Sequence, residues 1–176
     1  MELVPLCANL EAQFERFYND FVAHDPSNGE FYAQGMSDFL SYVLELDDHS
    51  RGVNLPEDYV PCTTYWLKLD DGELAGAIRI RHNIDNPFLS NECGHIGYDI
   101  APSQRRKGYA TKMLELARIK AAELGIDKAL VTADLDNIGS RKVIEANDGV
   151  FDGIVYSGVF ESDITRYWVS CSDSPQ

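Results

Sequence analysis

This chain has only four cysteines, Cys7, Cys62, Cys93 and Cys171, scattered with no Cys-x-x-Cys pair and no histidines grouped near them. A disulfide framework and a metal centre both need closer spacing, so neither is expected. Long apolar stretches are missing too. Hydrophobic residues make up 44% of the 176, yet no run approaches the ~20 residues that a membrane crossing takes. The first residues, Met1-Glu2-Leu3-Val4-Pro5, carry neither the basic start nor the apolar core of a secretory leader, which points to a cytoplasmic protein in a reducing compartment. Two phosphate-binding patterns are also absent. There is no GxxxxGK followed by Ser or Thr and no GxGxxG, which removes the common nucleoside-triphosphate and dinucleotide loops.

Positive charge is scarce: 15 Lys and Arg against 29 Asp and Glu, for a net charge of −14. It is also unevenly placed. Residues 1 to 100 hold 5 basic and 18 acidic side chains, residues 101 to 142 hold 9 and 5, and the remainder holds 1 and 6. A single basic segment in an acidic chain disfavours nucleic acid and marks where a polyanionic ligand would sit. The acidic remainder either draws a cationic partner or simply keeps the protein soluble. The length fits one domain, residues 1 to 176, with enough buried apolar surface to fold unaided.

The basic segment contains the most informative stretch, residues 94 to 120. Residues 95 to 100 alternate as a strand, Pro102 stops it, and an amphipathic helical pattern begins near Lys107. Between them lies Gln104-Arg105-Arg106-Lys107-Gly108-Tyr109-Ala110. A helix N-terminus offers unpartnered N–H groups and the positive end of the macrodipole, so an anion binds there without a dedicated side chain. Gly108 lets the backbone approach the ligand, Ala110 keeps the first turn shallow, and Arg105, Arg106 and Lys107 add charge. That combination suits a diphosphate.

Written out, IAPSQRRKGYA resembles the acyl-CoA signature VxPxxRxxGxA of the GNAT superfamily of N-acyltransferases. The likeness continues through the strand pattern of residues 128 to 134 and into Asn137-Ile138-Gly139-Ser140, which is similar to the family's Asn-x-x-Ala/Ser helix start. The resemblance covers about half the chain and implies an acetyl-CoA-dependent N-acetyltransferase, with acetyl-CoA as co-substrate and no metal. It implies a cofactor site of Tyr98, Asp99, Ile100, Arg105, Arg106, Lys107, Gly108, Tyr109, Ala110, Thr111, Asn137 and Ser140. The tyrosine that usually protonates the leaving thiolate falls on Ile144, leaving the acid open, with Ser140 as a nearby hydroxyl. The acceptor is a small-molecule or peptide amine, and a homodimer is allowed.

The rest of the chain supplies the fold. Apolar spacing predicts helices over residues 10 to 23 and from Phe39 to Leu46, the latter capped by Ser37. Residues 63 to 69 and 73 to 81 read as a hairpin about Gly72, residues 126 to 133 as a strand parallel to the one before the helix, and residues 150 to 170 as a closing hairpin. The expected class is a mixed α/β fold, its mostly antiparallel sheet of about six to seven strands flanked by about four helices. A parallel pair should splay at the cofactor site. Asn137 is either a helix cap or a ligand to the pantetheine arm. For the base that deprotonates the amine, the candidates are His95, with the better ordinary pKa, and Glu92. Without such a group the chain would be an inactive acyl-CoA sensor.

Overall fold

Period-two strands and 3.6-period helices assemble into three layers. The computed structural model describes residues 1 to 172. Its strands are β1 (Glu2–Val4), β2 (Cys62–Lys68), β3 (Leu74–Arg81), β4 (Ile96–Ile100), β5 (Lys128–Asp134), β6 (Val150–Ser157) and β7 (Ser162–Ser170). Its helices are α1 (Glu11–His24), α2 (Pro26–Gly29), α3 (Ala33–Ser37), α4 (Phe39–Arg51), α5 (Tyr109–Glu123) and α6 (Ile138–Glu145). The strands form one sheet in the order β1-β2-β3-β4-β5-β7-β6, antiparallel throughout except for β4 with β5.

Each sheet face has its own core, because each is covered by helices with one apolar stripe. On one face α5 buries Met113, Leu114, Ala117 and Ala121 against Ile78, Ile80 and Val131. Removal of a side chain such as Leu114 from water is worth roughly 2 kcal/mol. On the other face α1 and α4 enclose an aromatic cluster in which Phe14 packs on Phe39, Tyr42 and Trp66 with ring centroids 5.4, 5.6 and 6.4 Å away.

Most elements fall where the periodicity puts them. Asp38, not Ser37, caps α4: its Oδ1 accepts from the Ser41 N–H at 3.0 Å, since the carboxylate sits one residue before the helix. The helix count rises to six because, between the two expected helices, the chain forms α2 and α3. Both are too short to carry a readable period. β1 owes its strand to pairing with β2.

The site is positioned by β4 and β5. Gly94 has φ +67, and a Cβ there would lie 2.4 Å from the Leu130 carbonyl oxygen, so only glycine allows the chain to enter β4 this close to β5. The strands then share a single paired position, Ile96 with Val131, and part. β5 instead pairs along its length with β7. On the other side, Arg81 N–H donates to the His95 carbonyl and Ala101 N–H to the Ala75 carbonyl. By alternation, the N–H groups of Tyr98 and Ile100 face the gap that β5 has left.

Candidate active site

Directly after β4 the chain turns into α5. Gly108 is the residue before the helix, at φ +81, with open space where a Cβ would stand. Among the described residues, no protein acceptor is bonded to the N–H groups of residues 106 to 111, whereas the Lys112 N–H already donates to the Gly108 carbonyl. Six successive free donors at the positive end of a fifteen-residue helix make an anion cradle. The residues therefore fit a diphosphate.

The loop's cations divide. Arg105 turns away: its Nε donates to the Ile100 carbonyl at 3.0 Å, its Nη2 to Asp25 at 2.5 Å, and its guanidinium lies over the Phe21 ring. That partner holds the Asp25 carboxyl below its usual range. Arg105 thus fastens the loop to α1 and α2, which corrects its expected place among the cofactor's cations. Lys107 Nζ rests on Gln104 Oε1 at 2.9 Å, and Arg106, exposed at φ +65, remains beside the cradle. Asp99 is likewise corrected. Its carboxylate points to the opposite face, accepting from Tyr32 Oη at 2.8 Å and Arg79 at 2.9 Å, because alternation puts it opposite Tyr98.

A cleft of about 260 Å³ passes through the gap between the strands. Tyr98, Asn137 and Ser140 line one side, and Arg81, Glu92 and Phe160 line the other. Asn137 Oδ1 accepts from the Ser140 N–H at 3.0 Å, so it is a helix cap with only its amide nitrogen left to donate. Tyr98 Oη donates to the Ser140 carbonyl at 3.4 Å, and burial pushes its phenol up to about 12. Ile144 is wholly buried in the α5 core.

The two base candidates separate sharply. His95 is 8% exposed, its Nδ1 accepts from the Leu130 N–H at 3.0 Å, and it is not part of the cleft wall. Desolvation and then Arg81 lower its pKa, so it is neutral at pH 7 and bonds β4 to β5. Glu92 does line the cleft, on a single π-helical turn, Leu89–Cys93. That turn is pinned from three strands. Arg166 Nη1 donates to the Ser90 and Asn91 carbonyls at 2.7 Å each, Thr132 Oγ1 to the Glu92 carbonyl at 2.9 Å, and the Ser157 hydroxyl to the Glu92 carboxylate. Sequence reading missed this scaffold, and it missed Arg81. The scaffold's partners lie 40 to 76 residues apart in the chain, and that of Arg81 lies 13 away.

The mixed sheet thus opens between its parallel strands, with free N–H groups at the start of α5 and a carboxylate in the wall of the cleft. The comparisons make this specific. Residues 14–149 match the model of the acetyltransferase (GNAT) family, and the chain belongs to that family of acyltransferases. No curated protein matches it in sequence. Among solved structures it is similar to Mycobacterium smegmatis RimJ in complex with CoA-disulfide (19% identity, TM-score 0.72, covering 99% of this chain and 83% of that one). It is similar also to the microcin C7 self-immunity acetyltransferase MccE in complex with acetyl-CoA and AMP (15%, 0.70, 96% and 91%). A third is a mutant of the spermidine N-acetyltransferase SpeG from Vibrio cholerae (14%, 0.58, 97% and 95%). At these identities the likeness is one of fold. No helix among the described residues is long and apolar enough to cross a membrane.

Proposed function

We propose that the protein transfers an acetyl group from acetyl-CoA to a primary amine by direct attack. The observation that carries this reading is the gap between β4 and β5, which joins unpaired strand N–H groups to a wall bearing Glu92. Acetyl-CoA supplies the thioester. The N–H groups of residues 106 to 111 hold its diphosphate, and those of Tyr98 and Ile100 hold the pantetheine arm and the thioester carbonyl. The Asn137 amide and the Ser140 hydroxyl flank that arm.

Glu92 takes a proton from the acceptor ammonium, directly or through one water. The amine nitrogen then forms a bond to the acetyl carbon as the carbon–sulfur bond breaks. The thiolate takes its proton from the Tyr98 or Ser140 hydroxyl or from water, and the second proton that the nitrogen loses on becoming an amide passes through solvent to restore that donor. Burial keeps Tyr98 protonated but, by raising its pKa to about 12, makes it a weaker acid than an exposed phenol, which leaves Ser140 or water as alternatives. Cys93 also lines the cleft, but burial raises its thiol pKa, which disfavours a covalent acetyl-cysteine route.

An amine panel assayed for CoA release tests the reading. Some amine should turn over, and Glu92→Gln should lower kcat by roughly 10² or more without weakening acetyl-CoA binding. Tight acetyl-CoA binding with no turnover of any amine would instead establish an acyl-CoA sensor.

A further inference from the structure

Arg81 stands at the far end of β3, on the wall of the cleft facing the acceptor side. In a chain with 29 acidic residues, a partly buried guanidinium is ordinarily matched by a carboxylate. Two other arginines on this sheet follow that rule. Arg79, two residues earlier, bonds Asp99 at 2.9 Å, and Arg166 bonds Asp152 at 3.0 Å. Arg81 does not follow it. Among the described residues its guanidinium makes one protein bond, from Nη1 to the Gly94 carbonyl at 3.2 Å, and no carboxylate pairs with it. Glu92 shares the cleft with Arg81 but forms no ion pair with it among the described residues; its carboxylate accepts from the Ser157 hydroxyl. Gly97, opposite Arg79 in the β3–β4 register, leaves the floor between the walls without a side chain.

The cleft therefore presents one cation and one anion on the same side, not paired with each other. We propose that the acceptor is a zwitterion, a compact α-amino acid whose amine is directed to Glu92 and whose carboxylate is bound by the Arg81 guanidinium. This rests on the acetyl-transfer reading above and narrows its substrate class. Guanidinium donors are planar and paired, which matches a carboxylate and gives nothing to an amide nitrogen. The acidic surface of residues 1 to 100 predicts a cationic acceptor from long-range charge alone. Inside the cleft the near, partly desolvated Arg81 outweighs that screened field, and a polyamine would set a positive charge against it.

The test compares free L-amino acids with their carboxamides at saturating acetyl-CoA, in wild type, Arg81→Gln and Arg81→Lys. For the preferred side chain, kcat/KM for the acid should exceed that for the amide by about 30- to 100-fold, mostly through KM, the usual size of a charge-assisted bond. In Arg81→Gln the acid-to-amide ratio should fall to about threefold or less, and Arg81→Lys should restore part of it. A merely structural Arg81 would lower both substrates together and leave the ratio standing, which overturns the proposal, as does a wild-type enzyme that prefers amides. If no amine turns over at all, the transfer reading fails on its own. Calorimetry of N-acetyl amino acids against N-acetyl amino amides in the presence of CoA then decides Arg81 separately: equal affinities overturn it, and tighter acids that lose their advantage in Arg81→Gln sustain it.

Discussion

Gly108→Glu should abolish useful acetyl-CoA binding while leaving a folded protein, and the size of the effect follows from the geometry. Gly108 lies at φ +81 and ψ 0 with nothing within 4 Å of where a Cβ would be, so a side chain meets no protein atom. Any residue with a Cβ pays for the left-handed conformation, about 1–2 kcal/mol of stability. Glutamate adds charge in the space meant for the diphosphate. With a separation of roughly 5 Å, an effective dielectric of about 40 and about two negative charges on the ligand, the repulsion is about 3 kcal/mol. At 1.4 kcal/mol per factor of ten, that is a loss of about 10² in affinity or more. Gly108→Ala carries the same backbone strain without the charge, so it should match Gly108→Glu in urea unfolding yet lose much less affinity. Calorimetry with acetyl-CoA reads the difference. A Gly108→Glu protein that binds within threefold of wild type would falsify the cradle, because no arrangement with the diphosphate on these N–H groups escapes the added charge.

Other expectations concern the scaffold. Asp99→Ala leaves Arg79 and the buried Tyr32 hydroxyl without their acceptor, and because Arg79 and Asp99 side chains are 26% and 21% exposed the cost should be about 2–3 kcal/mol, below that of a fully buried pair. A urea midpoint within error of wild type would contradict it. His95 has a folded pKa below its unfolded value, so its contribution to stability is present above about pH 6.5 and is lost as pH falls through the folded pKa. Urea midpoints should therefore drop from pH 7 to pH 5, with His82, also lowered by burial, sharing the effect, and His95→Gln should flatten part of the slope. An unaltered slope in that variant refutes the assignment. Arg105→Ala should lower stability by about 1–2 kcal/mol through its lost bonds to Ile100 and Asp25, whereas Arg106→Ala should weaken acetyl-CoA binding; the reverse pattern in calorimetry and unfolding would exchange their roles.

The long elements were legible because their signals are local. The α5 stripe of Met113, Leu114, Ala117 and Ala121, the stop at Pro102 and the glycine at 108 all act within a few residues of one another. So the loop before α5 and the parallel pair could be placed from sequence, and the family with them. Elements held by distant partners could not. β1 is three residues long and exists through its register with β2, and α2 and α3 carry too few positions to display a period. Side-chain direction was also hidden where two local readings competed. Arg105 reads as a phosphate ligand beside Arg106 and Lys107, and only the approach of Asp25 and Phe21, some eighty residues earlier, turns it inward.

The same division bears on the choice of base. At ordinary values imidazole is the better proton acceptor at pH 7, and that favours His95 over Glu92. Yet a base must first reach the amine. Gly94 brings the start of β4 so close to β5 that His95 becomes part of the seam, with its Nδ1 committed to Leu130. That bond stands beside the backbone bond from the His95 N–H to the Leu130 carbonyl at 2.8 Å and the pairing of Ile96 with Val131, so side chain and backbone together close the sheet below the gap. Glu92 instead lines the cleft, which is why the proposed transfer assigns the proton to it. Geometry outranks intrinsic pKa here, since misplacement by a strand's width removes all proton transfer, while a pKa two units from optimal costs at most about a hundredfold.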